Sequence, residues 1–274
     1  MNIKFIKITA AGNDFILIDN RSKMISSTEY NSIAKKLCNR KYCIGADGLI
    51  LLEKSNVAEF KMKYFNSDGS YAAMCGNGAR AIAYFAYTER ISCNKCITFE
   101  TDAGLIQAEI LLNNQVKISI YDPCDIKTNI ELTIEDKLLS VDYINTGVPH
   151  VIIFIEKIQD INVKKYGKLI RYHDKFKPIG GTNVNFVEII NTNSIFVRTY
   201  ERGVEDETLA CGTGITASGI MTVMRGFTKS PVNVTSQGGD RLIVSCNFLK
   251  EKPTNVILEG PALITFKGTT TILN

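Results

Sequence analysis

The sequence predicts a mixed α/β protein built from two pseudo-symmetric halves, and three observations support this prediction. Similar segments recur in the same order along the 274-residue chain, at an offset of about 135 to 136 residues. Each half contains a Cys-Gly-x-Gly turn, at Cys75 and at Cys211, that opens a run of good helix composition. Each of these helices is followed by a strand-turn-strand pattern. A duplicated βαββ unit accounts for all three observations.

Four pairs of segments define the repeat. They are residues 12–18 with 147–153, 48–53 with 183–188, 60–66 with 196–202, and 75–78 with 211–214. Each of the first two pairs has the pattern of a polar loop that meets a buried strand. This matching makes Cys75 the counterpart of Cys211 and Asn66 the counterpart of Arg202.

Three helices are predicted from capping and composition. The capping box Ser26-x-x-Glu29 precedes a helix whose apolar residues recur at i, i+3, i+4 and i+7 from Tyr30. The glycine turns open helices over residues 79–89 and 215–224, and Gly226 is a natural stop for the second. The strands that follow are predicted at residues 97–101 with 105–111 and at residues 232–236 with 241–246.

The two halves are joined where Pro123 and its polar neighbours interrupt the periodicity. This places the boundary near residue 122, with an N-terminal half (1–122) that carries Cys75 and a C-terminal half (123–274) that carries Cys211. Whether the last strand returns to the N-terminal half stays open at this point. A rough two-fold relation between the halves predicts an active site in a cleft, approached by the two cysteines from opposite sides.

Composition excludes several classes of protein. A formal net charge of +4, spread evenly, is too small for the footprint of a nucleic-acid binder. No run of eighteen or more apolar residues occurs, and the N-terminus alternates like a strand. We therefore expect a cytoplasmic, soluble protein without a nucleic-acid or membrane partner.

Eight cysteines raise the question of a metal site. Cys93 and Cys96 form a lone CxxC, but the spacing of Cys38 and Cys43 is too loose to complete a zinc ribbon. No metal is predicted. Inert thiols are the interpretation for six cysteines, namely Cys38, Cys43, Cys93, Cys96, Cys124 and Cys246.

The remaining two cysteines suit an inversion of stereochemistry. Proton transfer that inverts a carbon needs a base on one face and an acid on the other, and the groups exchange roles when the reaction reverses. A cysteine at a helix N-terminus has its thiolate stabilised by the helix dipole and by unpaired backbone N–H groups. The same N–H groups can hold a substrate carboxylate. Singly, either motif suits an inert core cysteine equally well, but their duplication favours Cys75 and Cys211 as acid and base of a cofactor-independent epimerase.

The motifs around these cysteines resemble those of diaminopimelate epimerases over essentially the whole chain. The resemblance is carried by residues 12–15, 45–48, 65–70, 74–80, 149–150, 182–186, 200–203 and 210–214. It implies interconversion of LL- and meso-diaminopimelate, without pyridoxal phosphate or metal, on the route to lysine and peptidoglycan. It also implies a fold in which the strands of each half wrap around a central helix. A homodimer formed by the N-terminal half, near Phe266, is a further implication.

The resemblance assigns roles to individual residues. Cys75 and Cys211 would be acid and base, while His150 and Glu201 would tune the thiols and hold the substrate ammonium. Arg202 would pair with the distal carboxylate. The other substrate contacts would come from Asn13, Asn66, Gly76, Asn77, Asn183, Gly212 and Thr213. The second histidine, His173, is expected at the surface.

The chain departs from the family pattern at two substrate-binding positions. The family often has Gln where this chain has Gly48, and Asn where it has Val148. Two alternative functions stay open. One is racemisation of another amino acid on the same fold, against which Arg202 argues, and the other is a redox sensor in which Cys75 and Cys211 form a disulfide.

Overall fold

The computed structural model describes residues 2–271 as two compact units of strands and helices. The first unit comprises the described residues of Met1–Ser119 and Gly260–Asn274, and the second is Ile120–Glu259. The elements up to Ser119 are β1 (Asn2–Ala10), β2 (Asn13–Asp19), α1 (Tyr30–Leu37), β3 (Gly48–Glu53), β4 (Lys61–Asn66), β5 (Tyr71–Ala72), α2 (Gly76–Thr88), β6 (Cys96–Thr101), β7 (Gly104–Ile110) and β8 (Gln115–Ser119).

The second unit repeats this order with different lengths. Its elements are β9 (Cys124–Ile134), β10 (Lys137–Asn145), β11 (Pro149–Phe154), α3 (Val163–Arg171), β12 (Asn183–Asn191), β13 (Ser194–Glu201), β14 (Asp206–Thr208), α4 (Gly212–Met224), β15 (Val232–Ser236), β16 (Arg241–Leu249) and β17 (Lys252–Pro261). Short 3₁₀ turns at Ile158–Asp160 and Lys177–Ile179 flank α3. The last strand, β18 (Leu263–Thr271), pairs antiparallel with β1 and belongs to the first unit.

Equivalent strands of the two units pair in the same way. β2 runs parallel to β3 with Phe15 opposite Gly48, and β11 runs parallel to β12 with His150 opposite Asn183. β3–β4 and β12–β13 are both antiparallel hairpins, and β4–β6 and β13–β15 are both parallel pairs. The predicted pseudo-symmetric α/β architecture is confirmed.

The strand register corrects one detail of the sequence repeat. Leu49 lies opposite Phe65 in the first unit, and Val184 lies opposite Tyr200 in the second, so both members of the hairpin are offset by 135 residues. The counterpart of Asn66 is therefore Glu201 and not Arg202. The matching of residues 60–66 with 196–202 was wrong by one residue, because two aromatic strands of similar pattern align equally well at either offset.

The helices that begin at the glycine turns are the centres of their units. In α4 every residue from Gly214 to Thr222 is buried, as expected for a helix that is apolar on all sides. It contacts β10, β11, β12, β13, β15 and β16. In the first unit, α2 contacts β1, β2, β3, β4, β7, β8 and β18. Strands therefore surround a central helix in each unit, as the resemblance implied.

The remaining helices cover the outer faces of the strands. The helix predicted from Tyr30 forms, but its N-cap residue is Glu29 and not Ser26, although the Glu29 carboxylate does accept a bond from the Ser26 N–H. The sequence pattern did not predict α3. Asn162 caps it through a bond from the Lys165 N–H, and a mid-helix glycine, Gly167, interrupts its short apolar pattern.

Nowhere in residues 2–271 is there a helix long and apolar enough to cross a membrane.

Candidate active site

Each central helix begins directly after one of the two predicted cysteines. Cys75 has extended backbone angles, and its Sγ accepts a bond of 3.4 Å from the Gly78 N–H. Cys211 has a similar extended conformation, with its Sγ 3.5 Å from the Thr213 hydroxyl. Cys75 is partly exposed and Cys211 is 7% exposed. Both sulfurs therefore lie where the helix dipole and the first-turn N–H groups stabilise an anion.

The turn at Cys75 is held by a chain of side-chain amides. The fully buried guanidinium of Arg80 donates to Asn77 Oδ1 over 2.7 Å, and Asn77 Nδ2 donates to Asn13 Oδ1 over 2.5 Å. Asn13 in turn donates to the Asp47 carboxylate over 3.1 Å. We call this group, Asn13, Asp47, Cys75, Asn77 and Arg80, the Cys75 half-site. It brings three predicted site residues together in the first unit.

An ion-pair network supports Asn13 and Asp47 from behind. Arg40 bonds to both Asp14 and Asp47, at 2.6 and 2.7 Å, and the buried Lys7 ammonium lies 2.7 Å from Asp14. Burial raises the pKa of Asp14, but its bonds to Arg40 and Lys7 outweigh that effect and hold the pKa well below its usual range. The start of β2, which carries Asn13, is therefore anchored by charge, and this keeps the Asn13 side chain in place.

The other two positions of interest in the first unit lie side by side across the β3–β4 hairpin. Gly48 is opposite Asn66, whose Nδ2 donates to the Ser70 hydroxyl over 2.9 Å. A Cβ atom on Gly48 would lie 2.5 Å from the ring of Tyr64 and 2.9 Å from its hydroxyl. The Tyr64 phenol thus occupies the space that a side chain at position 48 would need. This explains why glycine is present where the resemblance leads one to expect Gln.

The turn at Cys211 rests on a different set of neighbours. The Thr146 hydroxyl donates to the Thr213 carbonyl over 3.1 Å and ties the first turn of α4 to the β10–β11 connection. Asn185 lies against the same turn, since a Cβ on Gly214 would be only 2.3 Å from Asn185 Oδ1. We call the group formed by His150, Asn185, Thr199, Cys211 and Thr213 the Cys211 half-site.

His150 is fully buried beside Asn185. The Asn185 amide nitrogen lies 3.1 Å from His150 Nδ1, and its carbonyl accepts a bond of 2.9 Å from Thr199. Burial lowers the pKa of His150 to about 3, and the positive charge of Arg202 acts in the same direction. The ring is therefore neutral at physiological pH.

The end of β13 presents the two charged residues predicted to bind substrate. Asn183 Oδ1 accepts a 2.8 Å bond from the Arg202 N–H, while Asn183 Nδ2 donates to the Pro149 carbonyl over 3.1 Å. The half-buried Arg202 guanidinium reaches only the Gly181 carbonyl, at 3.4 Å, and has no acidic partner within residues 2–271. Glu201 accepts a bond of 2.9 Å from Thr208.

The other six cysteines are all free thiols in the structure. Cys93, Cys96 and Cys124 are exposed free thiols, and burial raises the pKa of Cys38 to about 12 and of Cys246 to about 11. Such protonated thiols are poor nucleophiles. Across the described part of the chain, no three His, Cys, Asp or Glu side chains are grouped so as to hold a metal ion. His173 is partly exposed, and its Nδ1 accepts from the Lys175 N–H.

Several residues of the two half-sites were not predicted from the sequence. Asp47 and Arg80 lie within quoted motifs. Asp47 gains its role from a bond with Asn13, which is distant in the chain, and Arg80 from a bond to Asn77 on its own helix. Asn185 and Thr199 were missed because each looks like an ordinary strand residue. The signal that could have identified them is their place in the alternating pattern of each strand. Each falls on the inward-facing side, where buried polar side chains are uncommon.

Comparisons with known proteins agree on one family. A family model described as diaminopimelate epimerase matches residues 5–123 and 142–262. The chain is 42% identical over 276 residues to the diaminopimelate epimerase of Aquifex aeolicus, covering 97% of each chain. It is 36% identical over 282 residues to that of Methanococcus maripaludis, covering 97% of this chain and 99% of the relative.

Solved structures with low sequence identity share the fold. A Bacillus anthracis phenazine biosynthesis protein of the PhzF family superposes with a TM-score of 0.77 at 17% identity, over 99% of this chain and 100% of that one. A probable proline racemase from Agrobacterium radiobacter gives 0.74 at 14% identity, over 99% and 93%. The same pair of units therefore occurs in proteins with quite different names.

Proposed function

This chain belongs to the diaminopimelate epimerase family, and from that premise we propose that it interconverts LL- and meso-2,6-diaminopimelate by a two-base mechanism with Cys75 and Cys211. The observation that carries the proposal is the repetition of one local structure. Each unit places a cysteine at the N-cap of its central helix, followed by glycine-rich first-turn N–H groups. The reaction supplies precursors for lysine and for peptidoglycan.

The chemistry follows from what such a turn can do. The thiolate of one cysteine takes the α-proton, and the C–H electron pair stays on the α-carbon as an enolate-like carbanion. The thiol of the other cysteine then delivers its proton to the opposite face, so that the two sulfurs end the turnover with their protonation states exchanged. The N–H groups of Gly76, Asn77, Gly212 and Thr213 hold the α-carboxylate and the charge that develops on it. No step requires a cofactor.

Arg202 supports a substrate with a second carboxylate. A half-buried guanidinium that has no acidic partner in the described residues suits a ligand carboxylate, which it can bind through two parallel hydrogen bonds. Asn183 holds the backbone of Arg202 in place. Glu201 supplies the negative charge that an ammonium group of the substrate needs. A racemase for an amino acid without a distal carboxylate would leave Arg202 unused, which makes it the weaker candidate.

The test follows solvent deuterium during conversion of LL-diaminopimelate in D2O with a reductant. A two-base mechanism predicts that the meso product carries α-deuterium from its first appearance, while the remaining LL-isomer keeps protium at its α-carbon. Cys75→Ala and Cys211→Ala should each abolish conversion, whereas Cys93→Ala and Cys96→Ala, at exposed thiols, should leave it nearly unchanged. Early meso product that retains the substrate proton would contradict the two-base proposal.

The same measurement separates the redox alternative. A sensor that uses a Cys75–Cys211 disulfide would show no turnover in reductant. An epimerase that loses activity in oxidant and regains it in reductant would make the disulfide a property of the enzyme.

We also propose a homodimer formed by the first unit. Phe266 on β18 is 50% exposed, and its ring packs edge-on against Phe5 at 5.9 Å, which leaves an aromatic surface for a second copy. Sedimentation should give a dimer at micromolar concentration, and Phe266→Glu should shift it to monomer. A fully active wild-type monomer under these conditions would refute the proposal.

A further inference from the structure

A buried amide network holds His150 in one orientation. Asn185 makes three hydrogen bonds, all of them buried: it accepts from the Thr199 hydroxyl, at 2.9 Å, and donates to the Val151 carbonyl, at 3.0 Å, and to His150 Nδ1, at 3.1 Å. Asn185, His150 and Thr199 are at most 3% exposed. Solvent therefore does not compete for these groups.

The network determines which way the Asn185 amide faces. The Val151 carbonyl can only accept, so the amide atom beside it must be the nitrogen. The remaining amide hydrogen then points to His150 Nδ1, which must be unprotonated to accept it. A neutral imidazole carries one proton, and here it must lie on Nε2.

That proton lacks an acceptor inside the described structure. His150 Nε2 is buried, and it has no hydrogen-bond partner among residues 2–271. A buried N–H without a partner is destabilising, so this one is suited to donate to a ligand or to a reacting atom. Burial disfavours a second proton on the ring, and the cation of Arg202 acts in the same direction.

The first unit shows that the fold itself does not need this network. The counterparts of His150, Asn185 and Thr199, at the common offset of 135, are Phe15, Ile50 and Tyr64. There the helix turn packs on apolar atoms, since a Cβ on Gly78 would meet the methyl groups of Met62 and Ile50. Equivalent strands thus form with aromatic and aliphatic side chains in one unit and with polar side chains in the other.

We propose that Asn185, supported by Thr199, is a positioning residue that fixes His150 as the neutral tautomer with its proton on Nε2. His150 then acts in the Cys211 half-site only as a hydrogen-bond donor, to an anionic acceptor of the reaction, and neither as a base nor as an acceptor for an ammonium. The donor role rests on the proposed epimerase function. The tautomer itself does not.

The direct test is nitrogen NMR of the histidine ring in the intact protein. The chain has only two histidines, so the variant His173→Gln, at a partly exposed position, leaves the His150 ring as the single signal. The spectrum at pH 7 should show an unprotonated Nδ1 and a protonated Nε2. A proton on Nδ1, or on both nitrogens, would overturn the proposal whatever the enzyme activity proves to be.

Variants then test whether Asn185 is responsible. Asn185→Asp places a carboxylate beside Nδ1, which should move a proton to that nitrogen and lower kcat about ten- to a hundredfold with a smaller change in KM. Asn191→Asp, the same exchange at the exposed end of β12, is the matched control and should change neither signal nor rate. Thr199→Val removes only the hydrogen bond that supports Asn185, and it should broaden or mix the tautomer signals of His150. It provides the test if Asn185→Asp does not fold.

The outcomes distinguish the two proposals. If the protein shows the predicted tautomer but does not epimerise diaminopimelate, the proposed function is refuted and the positioning role of Asn185 is not. Normal epimerisation with an unchanged tautomer in both Asn185→Asp and Thr199→Val would refute the positioning role and leave the function intact.

Discussion

Gly214 and Gly78 occupy equivalent positions in the two central helices, yet the structure predicts different responses to alanine. Both are the third residue of their helices and both have ordinary helical backbone angles. A Cβ on Gly214 would lie 2.3 Å from Asn185 Oδ1, whereas a Cβ on Gly78 would lie 3.0 and 3.2 Å from terminal methyl groups. Methyl groups at the ends of flexible side chains can move by a few tenths of an ångström. The Asn185 oxygen cannot, because three hydrogen bonds hold its amide.

The magnitudes follow from these contacts. Overpacking costs about 1 to 3 kcal/mol, and disturbing the buried bonds of Asn185 costs about 1 kcal/mol for each of two bonds. Replacing a helical glycine by alanine returns about 1 kcal/mol. We therefore expect Gly214→Ala to lower the free energy of unfolding by about 3 kcal/mol, or Tm by roughly 10 °C. For Gly78→Ala, the gain in helix propensity and the small packing cost nearly cancel, so we expect almost no change in the free energy of unfolding.

The assay compares denaturation and diaminopimelate turnover of both variants, and then of a double variant. Asn185→Ala removes the obstructing atom, so adding Gly214→Ala to it should cost far less stability than in the wild type. Turnover of Gly214→Ala should fall even at temperatures where the variant is folded, because the displaced amide no longer orients His150. Equal stability of Gly214→Ala and Gly78→Ala, or strictly additive effects with Asn185→Ala, would refute this reasoning.

Three further predictions concern single positions. Gly48→Ala should destabilise the protein by about 2 kcal/mol in urea denaturation, because the new Cβ meets both the Tyr64 ring and a backbone carbonyl, and an unchanged midpoint would contradict this. The pKa of His150 is lowered in the folded state to about 3, so unfolding takes up a proton below pH 6.5. Wild-type stability should then fall by about 1 kcal/mol per pH unit from pH 6 towards pH 3, and a His150→Gln variant should show a correspondingly flatter pH dependence. Arg202→Lys should reduce kcat/KM for diaminopimelate about thirtyfold while thiol alkylation stays normal, with exposed Arg241→Lys as the unaffected control.

The features that sequence analysis predicted well are those with a local signal. The helix starts after Cys75 and Cys211 were predictable because a cysteine followed by glycines has a distinct capping role, and the stop at Gly226 because that residue takes a positive φ. The hairpins at Gly104 and near Gly239 were predictable for the same reason.

The features it missed depend on register across elements. The offset of 135 in the β4 and β13 strands becomes 136 at the cysteines, since the connection that contains Gly203 is one residue longer. No local pattern marks where that residue is inserted, so Asn66 was matched with Arg202 and not with Glu201. The helix α3 was missed for a related reason: Gly167 is required by the close approach of the Tyr200 side chain, a contact with a strand more than thirty residues away.

The contrast between the two half-sites follows from the chemistry that they are proposed to share. Identical thiols allow acid and base to exchange roles, and this accounts for why both cysteines keep the same helix N-cap geometry. In the proposed reaction the α-carbon carries four different groups, so its two faces are not equivalent, and the neighbours of each thiol need not match. The duplicated fold therefore accepts different side chains at the same positions. They are the apolar Phe15 and Ile50 in one unit and the polar His150 and Asn185 in the other. The proposed proton transfer needs the same helix turn at both cysteines, whereas an asymmetric substrate can be bound by different strand residues in each unit.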